Sequence, residues 1–196
     1  MKPRSRKCKI GAAGCDGTYT PFNSLQKCCS NPFCALEVGR AAIEKKARVK
    51  QRADKERIKP LTTLCSETQL VVNKVIRYRD ILAGYTCISC STGQIEDAGH
   101  FIHAGSKYRT SRLRFDHRVI NGQCRSCNSY TGGGNSLAHY HGIISRYGME
   151  RIEEINELKR QADSGELEPL TKEEVREIKR THAAEARRLR KLIDCM

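Results

Sequence analysis

The sequence predicts a metal-braced α+β protein, with short β segments and turns gathered around cysteines and with helices making up the rest. Three observations predict it. The 196 residues are only 38% hydrophobic, a modest core for a chain of that length. Eleven cysteines are present, and four of them form two CxxC pairs, "CISC" at Cys87–Cys90 and "CRSC" at Cys124–Cys127. Tracts on either side of these pairs carry apolar residues at helical spacing. Cross-bracing by metal would supply the stability that so small a core lacks.

Residues 1–34 hold Cys8, Cys15, Cys28, Cys29 and Cys34 among Gly, Pro and Asn, and read as turns around a metal. Residues 35–84 read as a basic helical connector. Its first part, from Ala35 to Lys59, is rich in Ala, Lys, Arg and Glu and stops at Pro60, so it predicts a helix that crosses solvent or lies along phosphates. A second helix is expected from about Ser66 to Leu82, with Leu70, Val71, Lys74, Val75, Tyr78 and Leu82 on its inner face.

Residues 85–147 form the CxxC-flanked module, with β-prone pieces in "FIHAG" and "LRF". "SLAHYHGIISRYG" predicts a helix closed by Gly148. Residues 148–196 predict two more, near 149–162 and 171–193. The last begins with a capping box, Thr171 with Glu174, and spaces Val175, Ile178, Leu189 and Ile193 helically.

No apolar run reaches membrane length and "MKPRSRKCKI" has no apolar signal core, so a reducing cytosol is the expected compartment and zinc the expected use of clustered cysteines. Zinc takes four ligands in a tetrahedron, and a CxxC turn offers two thiolates to one ion at little conformational cost. Cys87, Cys90, Cys124 and Cys127 therefore make one closed structural site across 33 intervening residues. Cys8, Cys15, Cys29 and Cys34 suit a second, more loosely spaced one, with Cys28 competing for the Cys29 position and Cys65 and Cys195 left over.

A closed zinc cannot do chemistry, which moves attention to the loop between the CxxC turns. It carries Asp97, His100, His103, Asp116, His117 and Asn121, with Asn128 following Cys127. Carboxylate, amide and imidazole together suit a hard divalent ion, Mg²⁺ or Mn²⁺, beside a general base. Bland readings exist for each. Asp97 would serve as a turn cap before Gly99, Asn128 as a helix cap, and His103 and His117 as surface groups.

Net charge is +14, and residues 1–148 carry 25 Lys/Arg against 10 acids while the remainder is balanced. That asymmetry points to nucleic acid, although an acidic protein partner would also answer it. Lys107, Arg109, Arg112, Arg114 and Arg118 crowd "KYRTSRLRFDHR" and are the expected phosphate contacts, with Tyr108 as a base-stacking candidate and Phe115 as core.

The order of CxxC, a His-bearing β segment and CxxCN resembles the HNH, or ββα-metal, nuclease module. The set "MKPRSRKCK", "SLQKCCS", "CISC", "DAGHF", "LRFD", "QCRSCN", "GGGN" and "ISRYG" resembles the lambda-type NinG/Rap recombination endonucleases over residues 1 to about 155. That resemblance implies a phage- or prophage-encoded, cytoplasmic, divalent-metal-dependent endonuclease acting on Holliday junctions and D-loops in recombination. Carried over, His100 matches the HNH base, Asp97 the nearby carboxylate and Asn128 the metal-binding Asn. One position departs: five residues before the third CxxC cysteine, where HNH modules place an Asn that orients the His, stands Val119. Asn121, Asp116 or His117 would have to replace it.

Other readings are a zinc-finger protein that binds DNA without cutting it, which Val119 favours, and a zinc-mediated protein-interaction module, which the charge disfavours. Branched DNA with two-fold symmetry also suits a homodimer, with phage recombination proteins as further partners.

Overall fold

The computed structural model describes residues 4–103, 108–129 and 135–196. They form two compact units, Met1–Lys59 and Pro60–Met196. Residues 35–84, grouped above as one connector, fall on both sides of that division.

In the first unit, β1 (Arg6–Lys7) and β2 (Thr18–Tyr19) pair antiparallel, Arg6 opposite Tyr19. A long helix follows, α1 (Pro32–Ile58). It starts three residues before the expected Ala35 because Asn31 caps it, its side chain accepting from the N–H groups of Phe33 and Cys34, and because proline suits the first turn. Only Cys34 is buried among its 27 residues, in keeping with the few apolar positions in the sequence.

The second unit opens with α2 (Leu61–Leu82), which begins directly after Pro60 and not at Ser66. Its buried face also differs from the expected one. Leu64, Cys65, Val72 and Ile76 enter the main core, whereas Leu70 is 66% exposed. The expected residues Val75, Tyr78 and Leu82 instead pack on Ala186 and Leu189 of the last helix. Two apolar stripes on one helix, each serving a different neighbour, blur into one broad face when read as periodicity.

Strand β3 (Asp97–His100) pairs antiparallel with β4 (Ile120–Gln123), in the register Asp97 with Gln123 and His100 with Ile120. Phe101–His103 of "FIHAG" therefore lie just beyond the strand, and Ala104 and Gly105 are outside the described residues. "LRF" is not β either: Arg112–Phe115 is a 3₁₀ turn whose N-terminus is capped by the Ser111 hydroxyl, accepting from the N–H of Leu113. After β4 come α3 (Arg125–Ser129), α4 (Ser136–Tyr147), α5 (Met149–Ser164) and α6 (Lys172–Ile193). Gly148, at φ +85°, closes α4, and both hydrogen bonds of the Thr171–Glu174 capping box open α6. α6 lies along α2, and Lys179 meets Glu67 at 2.6 Å.

Ile88, Phe115, Val119, Ile120, Ile143, Ile155 and Val175 fill the core beside Leu64, Val72 and Ile76. One carboxylate is fully buried among them. Asp80 accepts the Gly122 N–H at 2.7 Å and the Arg79 Nε–H at 2.6 Å, and Arg146 lies 3.9 Å away, so α2, β4 and α4 meet on it. α4 also approaches the first CxxC turn very closely: a Cβ on Gly142 would stand 1.7 Å from the Ile88 carbonyl oxygen.

Candidate metal centres and the β3–β4 hairpin

The folded chain gathers two sets of four thiols, Cys8, Cys15, Cys29 and Cys34 in the first unit and Cys87, Cys90, Cys124 and Cys127 in the second. Within each set the sulfur atoms all lie within 4.8 Å of one another. Individual pairs, Cys8–Cys34 at 3.8 Å, Cys15–Cys29 at 3.5 Å and Cys90–Cys124 at 3.9 Å, bracket the edge of about 3.8 Å that a tetrahedron of sulfurs around zinc requires. Cys28, though buried, is outside the first set, which resolves the choice at "CCS" in favour of Cys29. Both sets could hold structural zinc.

Local backbone prepares them. In the second centre the N–H of Gly93 reaches Cys90 Sγ at 3.3 Å, and with the Thr92 N–H it holds the Cys90 thiol down to about 6. Cys8 is likewise held down to about 6, by the N–H groups of Cys29, Gly11 and Ile10. Each centre so presents one thiol ready to ionise near neutrality, as zinc ligation requires.

Between the CxxC turns runs the β3–β4 hairpin. Successive side chains of a strand point to opposite faces, and directly paired residues of antiparallel strands share a face. Asp97 and Gly99 therefore share one face with Gln123 and Asn121, whereas Ala98 and His100 lie on the other with Gly122 and Ile120.

Contacts agree with this division. A Cβ on Gly99 would stand 1.6 Å from Gln123 Oε1 and 2.9 Å from Asn128 Oδ1, so Asn128 reaches over the Asp97 face and only glycine fits beneath it. On the same face Asn121 is 1% exposed and its Nδ2 donates to His139 Nε2 at 3.3 Å. Burial pushes His139 down to about 4. Asp97 Oδ2 sits 3.9 Å from Arg125 Nε.

On the opposite face, His100 Nε2 is 3.0 Å from the carbonyl oxygen of Arg114. A carbonyl only accepts, so the ring proton is on Nε2 and the lone pair on Nδ1. Burial moves His100 below the ordinary histidine range. It is therefore neutral at pH 7, with its Nδ1 bonded to no group among the described residues. The 3₁₀ turn that supplies the carbonyl is itself held, because Arg114 Nε donates to Gln69 of α2 at 3.1 Å.

Among the expected site residues, then, Asp97, Asn121 and Asn128 share one face and His100 takes the other. None of the three substitutes considered for Val119 touches His100. Asn121 binds His139, Asp116 binds Arg118, and His117 binds His182. Val119 itself is wholly buried in the core. A main-chain carbonyl orients His100, a partner that no side-chain motif reveals.

The expected phosphate contacts separate as well. Arg109 is exposed. Arg112 pairs with Glu174 at 2.6 Å, Arg114 is tied to Gln69, and Arg118 grips Asp116 with two bonds of 3.0 and 2.7 Å. Lys107 lies outside the described residues. Tyr108 is buried with its hydroxyl on Asp163, which corrects its reading as a stacking platform, while Phe115 is core as expected. Arg125, 71% exposed beside Asp97, and His139 were not marked by the sequence. Arg125 lies within the CxxC turn, where its charge was hidden by the cysteine motif.

Fold and centres together define a helix-dominated α+β protein with two four-cysteine clusters that could each hold a metal ion. A family model described as the bacteriophage lambda NinG protein matches residues 1–192, and the chain belongs to that family. Its relatives include Protein ninG of Escherichia phage 933W, 32% identical over 79% of this chain and 81% of the relative. Protein ninG of Escherichia phage lambda and of Salmonella phage P22 are each 30% identical over the same shares. No solved structure matches the chain. Among the described residues no helix is long and apolar enough to cross a membrane.

Proposed function

We propose that this NinG-family protein is a divalent-metal-dependent endodeoxyribonuclease of the HNH type. It cuts branched recombination intermediates, Holliday junctions and D-loops among them, in the cytoplasm of a phage-bearing cell. The observation that carries the reading is the state of His100, a neutral imidazole whose Nε2–H is bound to the Arg114 carbonyl and whose Nδ1 is free to take a proton from water. It stands on a strand followed by a second strand and a short helix, with the two CxxC turns of one cysteine cluster at the ends of the hairpin. Asp97 and Asn128 offer the oxygen donors that Mg²⁺ or Mn²⁺ prefers, and such an ion polarises a scissile phosphate when bound. The chain's own work is to hold the strand rigid, fix the tautomer of His100 and attract the phosphates through Arg109, Arg125 and the excess of basic residues.

A second reading, a junction-binding protein without cleavage, is favoured by the placement of His100 on the face away from Asp97, Asn121 and Asn128. One assay separates them. Zinc-loaded protein is incubated with a synthetic four-way junction and Mg²⁺ or Mn²⁺, wild type beside His100→Ala. The nuclease reading expects nicking that falls by at least about 100-fold in the variant. Retarded but intact DNA with wild type, or equal cutting by both proteins, rejects it. Light scattering on the protein–junction complex reads whether a dimer assembles on the symmetric substrate.

A further inference from the structure

A groove of about 740 Å³ runs along α1 in the first unit, lined by none of the residues named for the nuclease reading. Its floor is apolar. Val38, Ala42 and Val49 follow one another at helical spacing on α1, Ala41 lies beside them, and Ile10 closes the far side from the loop between β1 and β2. Val49 is 63% exposed and Ile10 39%, so these carbons face water. The rim is cationic: Lys9, Lys27, Lys45, Lys46 and Lys50 are all exposed, and among the described residues none of the five has an acidic partner. Arginines of the same helix differ, since Arg40 holds Glu37 at 3.0 Å and Arg48 holds Glu44 at 2.6 Å. The first cysteine cluster sets the walls. Lys9 and Ile10 directly follow Cys8, Lys27 directly precedes Cys28, and Val38 packs on the cluster one turn after Cys34. With the sulfurs of Cys8 and Cys34 3.8 Å apart, the groove exists before any partner arrives.

We propose that this groove docks an acidic amphipathic helix of a protein partner, its aliphatic side chains on the apolar floor and its carboxylates on the five lysines. Apolar contact then supplies most of the affinity, while the lysines select the partner by charge and speed its approach. Length agrees with such an occupant. From Val38 to Lys50 α1 rises about 18 Å, room for about three turns of a helix laid along it. Two other occupants fit worse. DNA would find lysines for its phosphates, but the lining holds no arginine fork and no aromatic ring on which an unpaired base could stack, and the apolar floor would lie against anionic phosphate. A second copy of this face would set lysine against lysine, and uncompensated like charges reject a partner.

The test is fluorescence anisotropy on the zinc-loaded full chain. The probe is a labelled synthetic peptide of about four helical turns made of leucine and glutamate, with the leucines at i, i+3, i+4 and i+7. A second peptide of the same composition scatters the leucines around the helix, so the two differ in pattern and not in charge. Wild type is expected to bind the patterned peptide at least about 10-fold more tightly than the scattered one. Lys45→Glu/Lys46→Glu should weaken the patterned peptide by at least about 10-fold, and Val49→Asp, which sets a carboxylate on the floor, by a similar factor. Arg187→Glu/Lys191→Glu on α6 makes the same change in net charge and should leave binding within about 2-fold of wild type. Equal binding of the two peptides, or equal losses in the two double variants, reduces the effect to bulk charge and overturns the proposal. So does no binding at about 100 µM protein, the weak end of useful affinity. Displacement of the patterned peptide by an equal concentration of duplex DNA assigns the groove to nucleic acid and also overturns it. All the substituted side chains are exposed, circular dichroism shows that each variant is folded, and Val49→Asp supplies the result should the double lysine variant unfold.

Discussion

Asp80 is the residue whose removal should hurt the second unit most. It is wholly buried, it accepts from the Gly122 N–H and from Arg79, and it is the acid beside Arg146, whose guanidinium is 12% exposed. Asp80→Ala leaves a buried N–H without a partner and two guanidinium groups without their counter-charge. Breaking a buried ion pair from one side costs about 3–5 kcal/mol, and an orphaned buried N–H about 1–3 kcal/mol. The two losses overlap, so about 4 kcal/mol is expected in all. For a unit of this size that is a fall of about 10–15 °C in melting temperature. Asp80→Asn keeps an acceptor for Gly122 and removes only the charge, and should lose about half as much. Calorimetry on zinc-loaded protein reads both transitions. A melting temperature for Asp80→Ala within about 2 °C of wild type, or an Asn variant worse than the Ala variant, would refute the reasoning.

Three further outcomes are expected. Gly142→Ala drives a Cβ against the Ile88 carbonyl and should destabilise by about 3 kcal/mol, whereas Gly39→Ala in α1, where nothing lies within 4 Å, should stabilise its helix by up to about 1 kcal/mol; thermal melts that rank them the other way contradict the packing. His139 is held near 4 by burial, so the folded state keeps it neutral while the unfolded chain protonates it near 6.5. Its contribution is complete above pH 6.5 and drains away as the pH falls towards 4, by up to about 1.4 kcal/mol per pH unit, and His139→Gln should flatten that part of the stability profile in melts at fixed free zinc. Mass spectrometry under native conditions should count two zinc ions per chain, with Cys87→Ser losing one and Cys15→Ser losing the other.

Much of this protein was legible because the signals are local. The capping box at Thr171, the stop at Gly148, the helix ending before Pro60 and the two four-cysteine sets all depend on residues close in sequence or on motifs whose chemistry allows one use. The gathering of the cysteines is the strongest of these, since a thiol quartet within 4.8 Å follows from cysteine spacing once the chain between can turn back. The strand was displaced by a few residues, because "FIHAG" has the better β composition but "DAGH" has the partner: glycine at 99 admits the side chains of Gln123 and Asn128, and that fit exists only across the hairpin.

What the tertiary structure alone decided is which side each chemical group faces and what already holds it. Asp97 and His100 are three residues apart, an odd step along a strand, and pairing with β4 sends them to opposite faces. Val119 is apolar because its side chain belongs to the core, and the contact on His100 Nε2 comes from a main-chain carbonyl, a group that every residue possesses. Arg112, Arg114 and Arg118 read as a free basic cluster until acids and amides from 2 to 62 positions away occupy them. Residue types and short spacings are written in the chain, whereas burial and pairing depend on groups far apart in sequence that meet only when the core closes.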